Sequence, residues 1–176
     1  MNLESFLHVV KYTVCGHVNP ITTTPGSRVI ASMREYNTIR ASVAKGLASV
    51  LPNAEFVMHL RKANEIEQHN TCPSNTTCCV SQQQLGADDG RTLMMKIDTD
   101  EHIYCVHKRF LEKIHRYYSI VHFDEEIYKQ FQRWYLSEHT KMPTYDGVSD
   151  CEKFIQYNMS SNVNTLYIKF NTICDL

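Results

Sequence analysis

The sequence predicts an α+β fold, with a largely antiparallel sheet and a few helices in a single compact domain over residues 1–176. Three observations lead there. Apolar residues recur every three or four positions from Val29 to Val50, and again from Ile127 to Tyr135, which is helical spacing. Residues 92–97 and 102–107 are short β-prone runs on either side of a polar tetrapeptide, the pattern of a hairpin. Finally, the chain carries no internal repeat and no low-complexity tract, and its 43% hydrophobic content suffices for one core.

Taken in order, residues 6–14 are β-branched and aromatic enough for a strand, closed by Gly16 and Pro20. A polar turn over 22–26 follows. Val29, Met33, Tyr36, Ile39, Val43, Leu47 and Val50 then mark an amphipathic helix. Asn37, Thr38 and Gly46 weaken it, so a broken helix or two strands stay open. Pro52 and Asn53 end that segment, and Phe56, Met58 and Leu60 alternate as a strand would. Residues 63–90, rich in Asn, Gln, Ser, Thr and Cys, read as a long Cys-containing surface loop, and loops of that length are uncommon unless functional.

Residues 88–90 turn the chain into the first hairpin strand, and 98–101 form its loop. Phe110, Leu111, Ile114, Tyr117 and Tyr118 fit a short helix, and 118–123 a short strand. Asp124 is the N-cap candidate of a helix reaching Glu138, which Pro143 bounds. Beyond a turn at 144–147 the tail reads as a second hairpin, 151–157 and 166–170, with Leu166, Ile168 and Phe170 on one side.

Eighteen basic and 19 acidic side chains leave a formal charge of −1, so no field of one sign suits duplex nucleic acid or a membrane surface. A small phosphate ligand needs only a local basic cluster. No apolar run approaches the ~20 residues of a membrane helix, and no basic stretch precedes the first apolar run as it would in a signal peptide. The seven cysteines are odd in number and irregular in spacing, unlike a secreted disulfide framework. The expected location is therefore the cytoplasm, with mostly free thiols.

Chemistry is concentrated in two stretches. On the helix from Asp124, Glu125 and Lys129 stand i,i+4 in the favourable order: either a solvated ion pair, or a cation facing a phosphate. Tyr128 falls on another part of that helix. The second stretch is Cys15-Gly-His17-Val-Asn-Pro20-Ile-Thr22-Thr23-Thr24, where His17 at a strand end can act as a general base and the threonine-rich turn can bind an anion. A loop histidine bonded to its own turn is the competing reading. Tyr104 and Lys108, four apart, could also serve a phosphate.

Cys72, Cys78, Cys79, Cys105, His102 and His107 are zinc-ligand types without a CxxC pair. A small zinc-stabilised module is therefore only an alternative, and no metal ligand is assigned. No GxSxG, Walker loop, HExxH or GxGxxG occurs, and no cofactor is implied.

His17-Val-Asn-Pro20 with the following threonines resembles the His-x-x-Pro-Gly segment of the poxins, the poxvirus and insect-baculovirus nucleases that degrade 2′,3′-cGAMP. Val121-His-Phe-Asp124-Glu-Glu-Ile-Tyr-Lys129 resembles the helix start that carries their catalytic lysine, and Asp150-Cys151 with 166–170 resembles a later pair of segments. The resemblance implies catalytic His17 and Lys129, with Thr22, Thr23, Tyr104, Lys108 and Glu125 about the ligand. It further implies metal-independent phosphodiesterase chemistry, a homodimer, and action in the host cytosol in viral immune evasion. Glu125 stands where the family has its catalytic tyrosine, and Ile21 where it has a glycine, which leaves a weak enzyme, an altered substrate, or sequestration without cleavage as the expectations. The alternative class is a non-enzymatic protein-interaction module, with the helix from Asp124 and the Cys-rich loop as its contact elements.

Overall fold

The computed structural model describes residues 1–18, 25–73, 75–86, 88–139, 148–158 and 160–175. Its elements in chain order are α1 (Leu3–Val18), α2 (Ser27–Ser49), α3 (Ala54–Lys62), β1 (Glu65–His69), β2 (Gly90–Ile97), β3 (Asp100–His107), a 3₁₀ turn (Lys108–Phe110), α4 (Leu111–Val121), α5 (Phe123–Glu138), α6 (Val148–Asn158) and α7 (Ser160–Cys174). The α+β class holds, and all pairing in the sheet, ordered β1-β2-β3, is antiparallel. The residues group into two units, Met1–Ser42 with His122–Leu176, and Val43–Val121.

In the first unit, helices replace the strands expected at both chain ends. Residues 6–14 lie in α1, and the buried positions Phe6, Val9, Val10, Thr13 and Val14 follow the helical period that their β-branched composition conceals. The Asn2 side chain accepts from the Ser5 amide at 2.8 Å and caps the start. The tail is α6 and α7, not a hairpin. Cys151, Phe154 and Ile155, then Val163, Leu166, Phe170 and Ile173, are buried at steps of one, three or four, while Ile168 is 57% exposed and does not share the face of Leu166 and Phe170. The expected strand at 118–123 is the end of α4 and the start of α5. Residues 22–24 of the turn predicted at 22–26, and all of the turn predicted at 144–147, lie outside the described residues.

The core of this unit is aromatic. Phe6 packs against Tyr36, Phe123, Tyr167 and Phe170, with ring centroids 5.5 to 6.4 Å apart. Asp124 was the expected N-cap of α5, but His122 occupies that position and Asp124 lies inside the first turn. There it accepts from the hydroxyl of the fully buried Tyr36 at 2.8 Å and pairs with Arg40. Arg40 in turn lies over the Tyr36 ring at 5.1 Å. Asp124→Ala would take the acceptor from the buried Tyr36 hydroxyl and the carboxylate from beside Arg40. Because the Asp124 side chain keeps 39% exposure, the expected loss is about 2 kcal/mol in urea unfolding, and Asp124→Asn should lose less.

In the second unit, α3 is a helix where a strand was expected. Phe56 and Leu60 are buried at i,i+4, and Asn53 caps the helix by accepting from the Phe56 amide at 3.0 Å. The hairpin of β2 and β3 forms as expected, turning at Asp98 with φ 53°. Leu93 and Met95 point to the core, with Val106 buried on β3. The stretch 63–90 contributes β1 and an isolated Thr77–Gln84 bridge. Cys72 is joined to Cys105 by a disulfide, a correction to the expectation of free thiols for this pair, whereas Cys15, Cys78, Cys79, Cys151 and Cys174 are in no disulfide. A Cβ on Gly90 would lie 2.7 Å from Cys72 Cβ, so only glycine lets β2 pass this closely.

Candidate functional site

His17 occupies the last turn of α1 and is exposed. This corrects the strand-end placement: its backbone belongs to a helix, because the apolar period of α1 carries through to Cys15. The α1 helix packs along α5, and the His17 imidazole lies flat on the Tyr128 ring, with centroids 4.3 Å apart and planes 14° from parallel. Tyr128 is half-buried, and Lys129, the next residue, is exposed.

Glu125, Tyr128 and Lys129 stand at i, i+3 and i+4 and form one contiguous flank of α5. The buried flank is Phe123, Ile127, Phe131 and Tyr135. Tyr128, expected on another part of the helix, is the residue that joins His17 to the flank holding Lys129. Glu125 is turned toward His122, with its carboxylate 3.3 Å from Nδ1. Thr22 and Thr23 lie outside the described residues.

Tyr104 and Lys108 belong to the second unit, where both are engaged locally. Lys108 pairs with Asp89 at 2.8 Å. The Tyr104 hydroxyl meets His59 Nδ1 at 2.5 Å, and its ring is edge-on to Phe56. Burial, reinforced by the negative charge of Glu55, pushes the Tyr104 phenol above its ordinary value, so it is held as the neutral phenol rather than the phenolate.

The cysteines separate by environment. Burial pushes Cys15 and Cys79 up to about 12. Cys78 is fully buried, and burial by itself would raise it. The Ser81 side chain and the amides of Ser81, His107 and Val80 outweigh that effect and lower it. The disulfide removes Cys72 and Cys105 from the set of zinc-ligand types. Among the described residues, no group of three or more His, Cys, Asp or Glu is placed to hold a metal ion.

A cleft of about 420 Å³ opens beside Glu4, His8, Arg28, Ser32 and Glu35 of α1 and α2, and none of the residues expected at the site lines it. No described helix is long and apolar enough to cross a membrane. Against this geometry, no protein-family model, curated protein or solved structure matches the chain.

Proposed function

We propose that this protein is a poxin-like binder of cyclic dinucleotides of the 2′,3′-cGAMP class, which cuts or sequesters its ligand in viral immune evasion. The observation that carries the reading is the His17–Tyr128 stack beside Lys129. An imidazole and a phenol are stacked at the contact of two packed helices, and the exposed Lys129 is the next residue along α5. The edge of His17 is open to solvent, so its ring nitrogens can reach a ligand proton.

In the cutting form, His17 takes the proton of a ribose 2′-hydroxyl. The 2′-oxygen attacks the adjacent 3′–5′ phosphodiester in line, and the 5′-oxygen departs with a proton. Lys129 stabilises the charge that develops on the phosphate. Glu125 is the element set against it, since a carboxylate on the same flank repels the ligand. Sequestration needs only the attraction of Lys129 and stacking of a base on the aromatic pair.

The test is incubation with 2′,3′-cGAMP and a chelator, followed by product analysis and a ligand-induced melting shift. Cleavage by the parent chain, reduced at least ~100-fold in both His17→Ala and Lys129→Ala, is the expected result for the nuclease. A melting shift without cleavage is the result for the sequestering protein, and absence of both overturns the reading. An interaction module has its own support in Tyr157 and Ile168, which are 74% and 57% exposed on α6 and α7. It is the reading to adopt if the ligand has no effect.

A further inference from the structure

Away from the His17 stack, the second unit brings two more histidines together. His59 is on the last turn of α3, and His102 is on β3, on the face of the strand that also carries Tyr104. Their ring centroids are 4.1 Å apart with planes 43° from parallel, and both side chains are half-buried. The Tyr104 hydroxyl engages His59 Nδ1, and the Tyr104 ring is itself braced edge-on by Phe56 at 5.0 Å. No hydrogen bond among the described residues engages the ring nitrogens of His102.

We infer that His59 and His102 form a two-histidine site for a borderline divalent transition ion such as Ni²⁺, Cu²⁺ or Zn²⁺. The chemistry fits imidazole donors. Two imidazoles bound to one ion at about 2.1 Å place their centroids roughly 5 Å apart, so the observed pair needs to open by only about 1 Å. With the proton on Nδ1, His59 donates to the Tyr104 oxygen and keeps the Nε2 lone pair for the metal. A ring nitrogen bonded to an outer partner is the usual support of a metal-ligating histidine. The two ligands come from a helix and a strand, elements that hold them more firmly than a loop would. Two protein donors leave the remaining coordination positions to water or to a small anionic ligand.

The inference is tested by calorimetric titration of Ni²⁺ into the full chain. It predicts one site per chain, weakened at least ~10-fold in His59→Ala and in His102→Ala, and by about 10- to 100-fold in Tyr104→Phe, which keeps both ligands but removes the outer hydrogen bond. His8→Ala should bind as the parent does. NMR of the histidine side chains in the unsubstituted chain keeps the test independent of whether a variant folds: Ni²⁺ should broaden His59 and His102 before any other histidine. Three results overturn the site: no binding at submillimolar Ni²⁺, binding unchanged in the double variant, or broadening confined to other histidines. A thiolate charge-transfer band on replacement by Co²⁺ also overturns it, because cysteines would then be the ligands.

Discussion

Phe6→Ala is expected to destabilise the first unit by about 3–5 kcal/mol, the usual range for emptying a fully buried aromatic position. Phe6 is the ring shared by four aromatic partners from three helices: Tyr36 of α2, Phe123 of α5, and Tyr167 and Phe170 of α7. None of these can close the void without giving up its own packing, so the upper half of the range is favoured. In urea the midpoint should fall with little change in slope, and on heating the transition should drop by roughly 10 °C. A loss below about 1 kcal/mol would mean that this cluster is not the centre of the unit's core.

Reduction of the Cys72–Cys105 disulfide is the second large effect. The bridge spans 33 residues and ties the segment before β2 to the middle of β3. In the chain-entropy model, opening a loop of this length costs about 3–4 kcal/mol through the greater freedom of the unfolded chain. Dithiothreitol should therefore shift urea unfolding of the parent by that amount and leave a Cys72→Ser/Cys105→Ser variant unaffected. Alkylation of the denatured, unreduced chain should mark five thiols, the number outside the bridge. Seven adducts would contradict the bridge.

These two features divide what the sequence disclosed from what it did not. The helical period of α2 and α5 and the alternation of β2 and β3 were legible because each element has one wet and one dry side. The α1 helix was not, since its Val, Tyr and Thr content favours a strand, and only burial at 6, 9, 10, 13 and 14 decides the matter. The α7 helix misled in the same way. Leu166, Ile168 and Phe170 alternate along the sequence, but burial selects Leu166 and Phe170 and leaves Ile168 in water.

The candidate site was half legible for a related reason. His17 and Lys129 stand out by residue type, since an imidazole and an ammonium are what phosphoryl chemistry uses. Tyr128 does not, because its importance comes from the way α1 packs along α5, a contact between residues more than a hundred positions apart. The Cys72–Cys105 pairing and the His59–His102 contact are tertiary in the same sense. Spacing along the chain gives no hint of either.

Through its stack on Tyr128, His17 covers the flank of α5 on which the proposed ligand contact rests. A phosphorothioate analogue of 2′,3′-cGAMP, which resists cleavage, should be titrated into isotope-labelled protein while the His17 imidazole, the Tyr128 ring and the Lys129 ammonium are followed by NMR. Saturable shifts are expected at all three with one common affinity, weakened at least ~10-fold by salt or by Lys129→Ala, as a charge-led phosphate contact requires. Saturation of the analogue elsewhere on the chain with these three signals unmoved, or no binding at all, would contradict it.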